Sequence, residues 1–226
     1  MFEYILSKVV VKLIRLKSLK WKLYKSFPTI FFIPHMELSE YLLLKKTFKN
    51  KQTFLEYGSG GSTIFLLKNH KKVFSVESNK EFYNYMLSIN LVKKSLGSNL
   101  NYKFIDLGST NIWGKPIEAE SEANWSDYYR KVWQNIKPKD NIDVIFIDGR
   151  FRICCCLYSI LKVVEYGWND TVIVIHDFWR RKKYHVVLKF LDEVESSKDL
   201  ATFRVKDNIN TEKVWQMIDE NALVTA

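Results

Sequence analysis

The sequence predicts an α/β fold in which helices cover both faces of a doubly wound, mostly parallel sheet. Short runs of β-branched and aromatic residues alternate with longer segments of helical periodicity along most of the chain. Hydrophobic residues make up 47% of the 226 residues, and Gly and Pro are scarce, at eight and four. This composition suits one substantial core and excludes a disordered, collagen-like or repeat protein.

Five apolar runs are predicted to be parallel strands. Each is followed by a segment with helical spacing, as in sheets whose crossovers are helices. The runs are residues 53–57, 72–76, 102–105, 142–147 and 171–175, and a helix is expected before them at 39–48. Ligands of such sheets bind at the carboxyl ends of the strands, so we expect the functional residues there.

The first 25 residues are strongly basic. They hold seven cations and one acid, a net charge of +6 out of +10 for the whole chain. Their apolar residues recur at helical spacing, which predicts an N-terminal basic amphipathic helix. Prolines then bracket an apolar stretch, so we expect an arm over residues 1–34 and the main domain over residues 35–226.

Two interpretations suit this arm. It binds the surface of an anionic membrane, or it packs against protein, either on the domain or on the second copy of a homodimer. No nucleic acid is expected, because no binding motif accompanies the charge. The sequence shows no signal peptide or long apolar span, and its three cysteines are adjacent, at 154–156. A reducing, cytoplasmic location is therefore expected, with peripheral attachment to the inner face of the membrane as an option.

A glycine-rich loop follows the first predicted strand. It reads Glu56-Tyr57-Gly58-Ser59-Gly60-Gly61-Ser62 and leads into an apolar helix. Glycines let the backbone approach a ligand closely, and the N-terminus of the next helix offers free N–H groups. The loop predicts a nucleotide-type binding site, and a plain strand-to-helix turn is the alternative.

Acidic residues follow the second and third strands. Glu77 lies about twenty residues beyond the loop, where an acid that binds ribose hydroxyls is expected. Asp106 is expected to meet a bound base or ribose, and a turn or capping role is the alternative. Residues 108–127 form a long polar segment. One interpretation is a lid, with Trp113 and Trp125 as candidates to cover a ligand, and the alternative is a disordered surface loop.

Charged residues also follow the fourth and fifth strands. Asp148, His176 and Asp177 are candidate catalytic residues, because such a group can transfer protons. Asp148 and Asp177 can also hold a divalent cation. Arg150 and Arg152 are expected to bind an anionic substrate by phosphate or carboxylate. The alternative is that these acids and arginines simply pair with one another.

Over residues 53–217 the chain resembles the class I S-adenosylmethionine-dependent methyltransferases. The glycine-rich loop, Glu77 and Asp148 carry the resemblance. It implies a seven-stranded sheet that ends in an antiparallel hairpin, which we assign to residues 202–205 and 213–217. Ser62 stands where the commoner loop has its third glycine, and Gly61 directly before it is expected to serve instead.

The resemblance also implies which residues meet the cofactor. Glu56 and the backbone around Gly58 and Gly60 would meet its amino-acid end, Glu77 its ribose and Asp106 its adenine. Ser59, Gly61 and Ser62 complete the loop. Some related enzymes methylate hydroxyl groups with Mg²⁺ held by acids at the positions of Asp148 and Asp177.

We therefore expect O-methylation of a small-molecule or glycan hydroxyl. With a metal, the bound hydroxyl would lose its proton more readily; without one, His176 or Asp177 would be the base. The alternatives are an NAD(P)-dependent short-chain oxidoreductase, suggested by Tyr158 and Lys162, and a membrane-associated binding protein without catalytic activity.

Overall fold

The protein is built on a seven-stranded sheet. In the computed structural model, which describes residues 2–14, 16–111, 115–116 and 124–225, the strands are β1 (Thr53–Tyr57), β2 (Lys72–Glu77), β3 (Leu100–Phe104), β4 (Val144–Ile147), β5 (Val172–Ile175), β6 (Leu191–Ser197) and β7 (Leu200–Val205). Their order is β3-β2-β1-β4-β5-β7-β6. The first five pair in parallel, and β7 pairs antiparallel with both β5 and β6. The predicted fold class is confirmed.

Helices cover both faces of the sheet. They are α1 (Phe2–Leu13), α2 (Lys17–Ser26), α3 (Pro28–Phe31), α4 (Leu38–Phe48), α5 (Gly61–Lys68), α6 (Lys80–Leu87), α7 (Asn90–Ser95), α8 (Asp127–Arg130), α9 (Arg152–Tyr166) and α10 (Thr211–Asn221). One apolar core lies between the sheet and α9 and α10, and a second lies on the face covered by α4 and α5. The three cysteines are buried in α9, as expected of small apolar side chains. Within the described ranges, no helix is both long and apolar enough to cross a bilayer.

The antiparallel hairpin is present, but one of its predicted strands is wrong. Residues 213–217 belong to α10, whose first turn is capped by the side chain of Asn210, which accepts a hydrogen bond from the Lys213 amide at 3.0 Å. Val214, Met217 and Ile218 are buried at helical spacing. The partner of β7 is instead β6, an edge strand that is mostly exposed and therefore lacks an apolar signal.

The arm contains the three helices α1, α2 and α3. The single helix predicted for the first 25 residues is divided into α1 and α2, because the chain is extended at Leu16, before α2. One side of the arm packs on the domain. Tyr4 is buried and stacks on Tyr41, with ring centres 4.7 Å apart. Trp21 lies 4.5 Å from the ring of Tyr85, whose hydroxyl donates to the Trp21 carbonyl. Packing of the arm on the domain is thus observed.

The order of the strands reverses between β1 and β4, and the loops after these two strands meet there. Gly58 has a φ of +93°, and a Cβ on it would lie 2.7 Å from the Cα of Gly149. A side chain at this position would be strained and would push the two loops apart. The strands β1, β2, β4 and β5 therefore end at one edge of the sheet, and the predicted site residues lie along that edge.

Candidate functional site

Glu56 stabilises the glycine-rich loop from inside the sheet. Its side chain is completely buried in β1, and its carboxylate accepts hydrogen bonds from the hydroxyls of Ser62, Thr63 and Ser75. Thr63 in turn accepts a hydrogen bond from the Gly60 amide at 2.9 Å. These contacts fix the loop, and they are all made to the protein itself. A direct contact between Glu56 and a cofactor stays a prediction.

Burial raises the pKa of Glu56 from 4.5 to about 7, although its three hydroxyl donors act in the opposite direction. A raised pKa means that folding favours the protonated acid. The resulting stability is present below pH 4.5 and is lost as the pH rises through about 7. The size of the loss is about 3 kcal/mol.

We expect Glu56→Gln to remove this loss, because glutamine keeps an acceptor for the hydroxyls and does not ionise. The free energy of unfolding of the variant, relative to the wild type, should rise by about 3 kcal/mol between pH 4.5 and 7 and stay level above that. Urea denaturation at several pH values measures this difference. Glu193→Gln, at an exposed position of β6, is the control. A difference for Glu56→Gln that does not change with pH would contradict the assignment.

Glu77 is the acid at the end of β2, and it lies against the loop. It is 7% exposed, and its carboxylate accepts from the amides of Ser78 and Asn79 and from the hydroxyl of Ser59, at 2.8, 2.9 and 2.9 Å. Ser59 also lies 2.6 Å from the hydroxyl of Tyr102. A carboxylate has about four acceptor positions, so Glu77 retains capacity for a further donor such as a ribose hydroxyl.

A cleft of about 650 Å³ opens beside Glu77, and Ser78, Asn79, Phe104, Asp106 and Gly108 are among its lining residues. This volume lies within the range of small-molecule sites. Asp106 is exposed in the cleft and accepts a hydrogen bond from the Gly108 amide at 3.0 Å, so it also stabilises the turn. Asp106 thus lines this cleft together with Ser78 and Asn79, which directly follow Glu77 in the chain. Contacts of Asp106 and Glu77 with a cofactor stay predictions.

The loop glycines divide into two groups. Gly60 has open space where a side chain would be, which leaves room for a ligand, whereas a Cβ on Gly61 would clash with the backbone of Ile33. Ser62 is buried because it donates to Glu56. Gly61 and Ser62 therefore face the protein, and Ser59 and Gly60 are the more accessible part of the loop.

Of the two candidate lid residues, Trp125 is buried, and its ring lies 5.5 Å from that of Phe151. It belongs to the core, so it does not cover the cleft. Trp113 lies outside the described residues. The lid interpretation of residues 108–127 stays a prediction.

Asp148, His176 and Asp177 form a compact cluster at the ends of β4 and β5. The Nδ1 atom of His176 lies 2.9 Å from Asp148 Oδ1 and 3.8 Å from Asp177 Oδ1. Its Nε2 atom lies 3.7 Å from the buried Glu40 of α4. Asp148 is the most accessible of the three, with a side chain 32% exposed, against 11% for His176 and 7% for Asp177.

The charges in the cluster change its proton affinities. Burial acts to raise the pKa of Asp148, but His176 and Arg152 outweigh it and lower that pKa to about 2. Burial acts to lower the pKa of His176, but the charge and hydrogen bond of Asp148 raise it above its usual 6.5. Asp148 and His176 are thus a coupled pair that titrates together.

Two residues of this edge have unusual backbone angles. Phe151 and Asp177 have φ values of +51° and +61°, in the left-handed region that L-residues seldom adopt. Strain of this kind collects at functional sites, where the surrounding contacts maintain it. Phe151 directly precedes α9, and Asp177 lies two residues after β5, so both angles belong to the turns that shape this edge.

Arg152 is not the substrate clamp that the sequence suggested. It is 5% exposed, and its guanidinium donates to the carbonyls of Gly149, His176 and Asp148. It also pairs with Asp148 and with Asp177 Oδ2, at 3.0 and 3.2 Å. Arg152 therefore ties the two strand ends together from inside. Arg150, by contrast, is half-buried and forms no ion pair with a described residue.

The arrangement of Asp148, His176 and Asp177 also determines whether the site suits a metal ion. Asp148, His176 and Asp177 each offer one ligand atom, and these atoms lie within 4.8 Å of one another. However, both carboxylates already pair with Arg152, and Mg²⁺ prefers oxygen ligands to an imidazole. The residues present therefore fit a cluster held by arginine better than they fit Mg²⁺.

Several residues of the site were missed by sequence reasoning. Glu40 approaches His176 from a helix far away in the sequence, and Ser75 and Tyr102 reach the loop from inside their strands. Arg181 lies 3.6 Å from Asp177 and 5.8 Å from the centre of the Tyr184 ring, and both residues belong to a segment without any motif. Only the histidine–aspartate pair marks this part of the sequence, and no local pattern points to the others.

Comparison with solved structures adds to this geometry. A methyltransferase-like protein from Silicibacter pomeroyi DSS-3 is 27% identical, with a TM-score of 0.68, and the match covers 85% of this chain and 97% of that chain. A protein in the NADB-Rossmann superfamily from Streptococcus agalactiae is 12% identical over 81% of this chain and 75% of that chain, with a TM-score of 0.38, too low to support an argument. No family model and no curated protein match the sequence.

The chain therefore has a Rossmann-type, methyltransferase-like fold. The likeness to a methyltransferase-like protein extends over most of both chains and supports an enzyme of the methyltransferase kind. Substrate and chemistry depend on the site itself, because one fold serves many functions.

Proposed function

We propose that the protein is an S-adenosylmethionine-dependent methyltransferase. The observation that carries the proposal is Glu77, a buried acid with spare acceptor capacity that holds the loop through Ser59 and is followed by Ser78 and Asn79, which line a cleft of about 650 Å³. An acid at the end of β2 next to a glycine-rich loop suits a ribose, and the cleft beyond it has room for a base. The methyltransferase-like relative supports the same donor.

The donor would supply a methyl group on a sulfonium, which a nucleophile can attack in line. This chain's own residues would then bind and orient. Glu77 would accept from the ribose, the open backbone at Gly60 would admit the amino-acid end, and Asp106 would lie near the adenine. Holding the two reactants in line supplies much of the rate enhancement in reactions of this type.

Asp148 and His176 would take the proton from the acceptor. Asp148 is the accessible member, and His176 lies behind it and holds it by a hydrogen bond of 2.9 Å. At a pH above the raised pKa of His176, the pair has one free site for a proton. A site that removes a proton favours a hydroxyl acceptor, so we propose O-methylation of a small molecule or glycan.

The oxidoreductase alternative receives less support. Tyr158, its candidate catalytic tyrosine, packs among Tyr129, Trp133 and Trp215 on the side of α9. Lys162 pairs with Glu165 at 2.6 Å. Both residues are thus engaged away from the cleft beside Glu77.

Isothermal titration calorimetry tests the proposed cofactor. The purified protein should bind S-adenosylhomocysteine saturably and should not bind NAD⁺ or NADP⁺ under the same conditions. Binding of a nicotinamide nucleotide without S-adenosylhomocysteine would instead favour the oxidoreductase. If neither S-adenosylhomocysteine nor a nicotinamide nucleotide binds, the proposed methyltransferase function is wrong.

Removal of metal ions gives a separate prediction. Because Asp148 and Asp177 already pair with Arg152, methyl transfer should proceed equally well after treatment with EDTA. The assay is the release of S-adenosylhomocysteine from S-adenosylmethionine in the presence of a metal-free metabolite extract. Loss of activity with EDTA and its return with Mg²⁺ would show that an ion displaces Arg152.

We also propose that the arm attaches the protein to the inner face of an anionic membrane. The side of α1 that does not pack on the domain exposes Ile5, Val9 and Leu13, which are 47%, 51% and 75% accessible. Lys12 is exposed beside them, and α2 exposes further lysines. An apolar face flanked by cations matches a bilayer that carries negative headgroups.

Vesicle flotation with the full chain tests the arm. Val9→Glu should weaken binding to vesicles rich in phosphatidylglycerol by about tenfold or more, because it removes apolar burial and adds a repelled charge. Val194→Glu is a matched control at an equally exposed valine of β6, 55% accessible, and should bind like the wild type. Equal flotation of both variants would contradict a role for α1.

A further inference from the structure

Three buried polar groups at the edge of the proposed acceptor site have no hydrogen-bond partner among the described residues. They are the Nε atoms of Arg150 and Arg181 and the hydroxyl of Tyr184. Tyr184 is only 2% exposed, so bulk water does not compensate its hydroxyl. Buried groups without partners are rare in folded proteins, and each one indicates a missing partner.

The three groups belong to one region. The guanidinium of Arg181 lies 5.8 Å from the centre of the Tyr184 ring and 3.6 Å from Asp177. Tyr184 also interacts electrostatically with Arg150. Arg150 directly follows Gly149 at the end of β4, and Arg181 comes shortly after Asp177 at the end of β5. The two arginines therefore flank the cluster that contains Asp148 and His176.

The acids of the cluster are already paired. Asp177 contacts Arg152, Arg180 and Arg181, and Asp148 contacts Arg152 and His176. Glu40 faces His176, and Asp199 faces Arg180. Among the described residues, Arg150 therefore remains as a guanidinium without an ion pair, and Arg181 shares Asp177 with two other arginines.

Like charges also gather at this edge. Burial, followed by repulsion from Arg152, lowers the pKa of Arg150. Burial, followed by repulsion from Arg181 and Lys115, lowers the pKa of Lys183. Arg150 and Arg152 thus repel each other, as do Arg181 and Lys183, and an anion bound near Arg150 and Arg181 would relieve this repulsion.

We infer that Arg150, Arg181 and Tyr184 form an oxyanion subsite that binds a phosphate or carboxylate of the methyl acceptor. The inference rests on the proposed methyltransferase function and specifies its substrate class. Guanidinium groups bind such oxyanions through paired hydrogen bonds, and the tyrosine hydroxyl adds one donor. Arg152 is excluded from this role, because backbone carbonyls and acids already occupy its donors.

The subsite would also fix the position of the acceptor. Its anionic group would be bound beside the Asp148–His176 pair, so a hydroxyl elsewhere on the same molecule would be directed to the accessible oxygen of Asp148. Neutral hydroxyl compounds lack this anchor and should be poor acceptors. The selectivity would thus come from charge, and the methyl transfer from the neighbouring pair.

Calorimetric titration of the full chain with inorganic phosphate, and separately with acetate, at constant ionic strength tests the subsite. We expect saturable binding that weakens about tenfold or more in Arg150→Gln and in Arg181→Gln, since each removes a charged hydrogen-bond donor. Tyr184→Phe keeps the ring and should weaken binding about threefold. Arg204→Gln, at an exposed arginine on β7, is the matched control and should bind like the wild type.

The two probes distinguish the source of the anion: preference for phosphate supports a phosphorylated acceptor, and preference for acetate supports a carboxylate. Absence of saturable binding of both probes would overturn the subsite, as would equal binding by the wild type, Arg150→Gln and Tyr184→Phe. S-adenosylhomocysteine is titrated into the same samples. If it fails to bind while the anion binds through Arg150, the methyltransferase proposal fails and the anion site stands.

Discussion

Glu77→Ala is expected to lower the affinity for S-adenosylhomocysteine by about 100-fold. The substitution removes the acceptor for the ribose hydroxyls, and a hydrogen bond to a charged group contributes about 1.5–3 kcal/mol. It also releases Ser59 and the amides of Ser78 and Asn79, which the carboxylate now holds in place. Isothermal titration calorimetry measures the change directly.

Two further variants make this result specific. Glu77→Gln keeps an acceptor oxygen, so it should lose less affinity for S-adenosylhomocysteine than Glu77→Ala. If Glu77 had a purely structural role, the loss of affinity in each variant would instead follow its loss of folding stability. Glu193→Ala removes an acid from the exposed edge strand and should bind like the wild type. Unchanged affinity in Glu77→Ala would show that the ligand does not use this acid.

Asp148→Asn is expected to reduce the rate of methyl transfer by about 100- to 10,000-fold, the usual contribution of a general base. Affinity for S-adenosylhomocysteine should change little, because Asp148 belongs to the acceptor side of the site. Release of S-adenosylhomocysteine in a metabolite extract measures the rate, and calorimetry measures the affinity. Asp192→Asn, at an exposed position on β6, is the matched control.

The pH profile separates this role from a structural one. In the wild type the rate should rise with pH through the pKa of His176, which lies above 6.5, because the pair must lose a proton before it can accept one. Asp148→Asn removes the charge that raises this pKa, so any residual activity should rise at a lower pH. A variant that retains the wild-type rate and profile would contradict the assignment of Asp148.

The parallel part of the sheet could be predicted because burial on both faces leaves a strong apolar signal. The strands β4 and β5 are runs of Val, Ile and Phe with polar residues immediately after them. The edge strand β6 could not be predicted in this way, since most of its side chains are exposed and three of the seven are acidic. Residues 213–217 misled the prediction because three apolar residues there suit a short strand as well as a helix face.

The residues of the candidate site could also be predicted only in part from the sequence. Glu77, Asp148 and His176 could be found because each ends or directly follows a strand, and Glu56 because it precedes the glycine-rich loop, so that position in the sequence determines position in space. The partners of these residues could not. Whether an arginine such as Arg152 points inward or toward a ligand depends on which carbonyls and acids the fold brings to it.

A crystal structure with S-adenosylhomocysteine tests the central claim most directly. The ribose hydroxyls should lie within about 2.7–3.2 Å of the Glu77 carboxylate, with the adenine in the cleft at Asp106 and the amino-acid end over Gly60. The sulfur should face Asp148. A ligand bound elsewhere, or a cleft that remains empty at saturating ligand, would contradict the account.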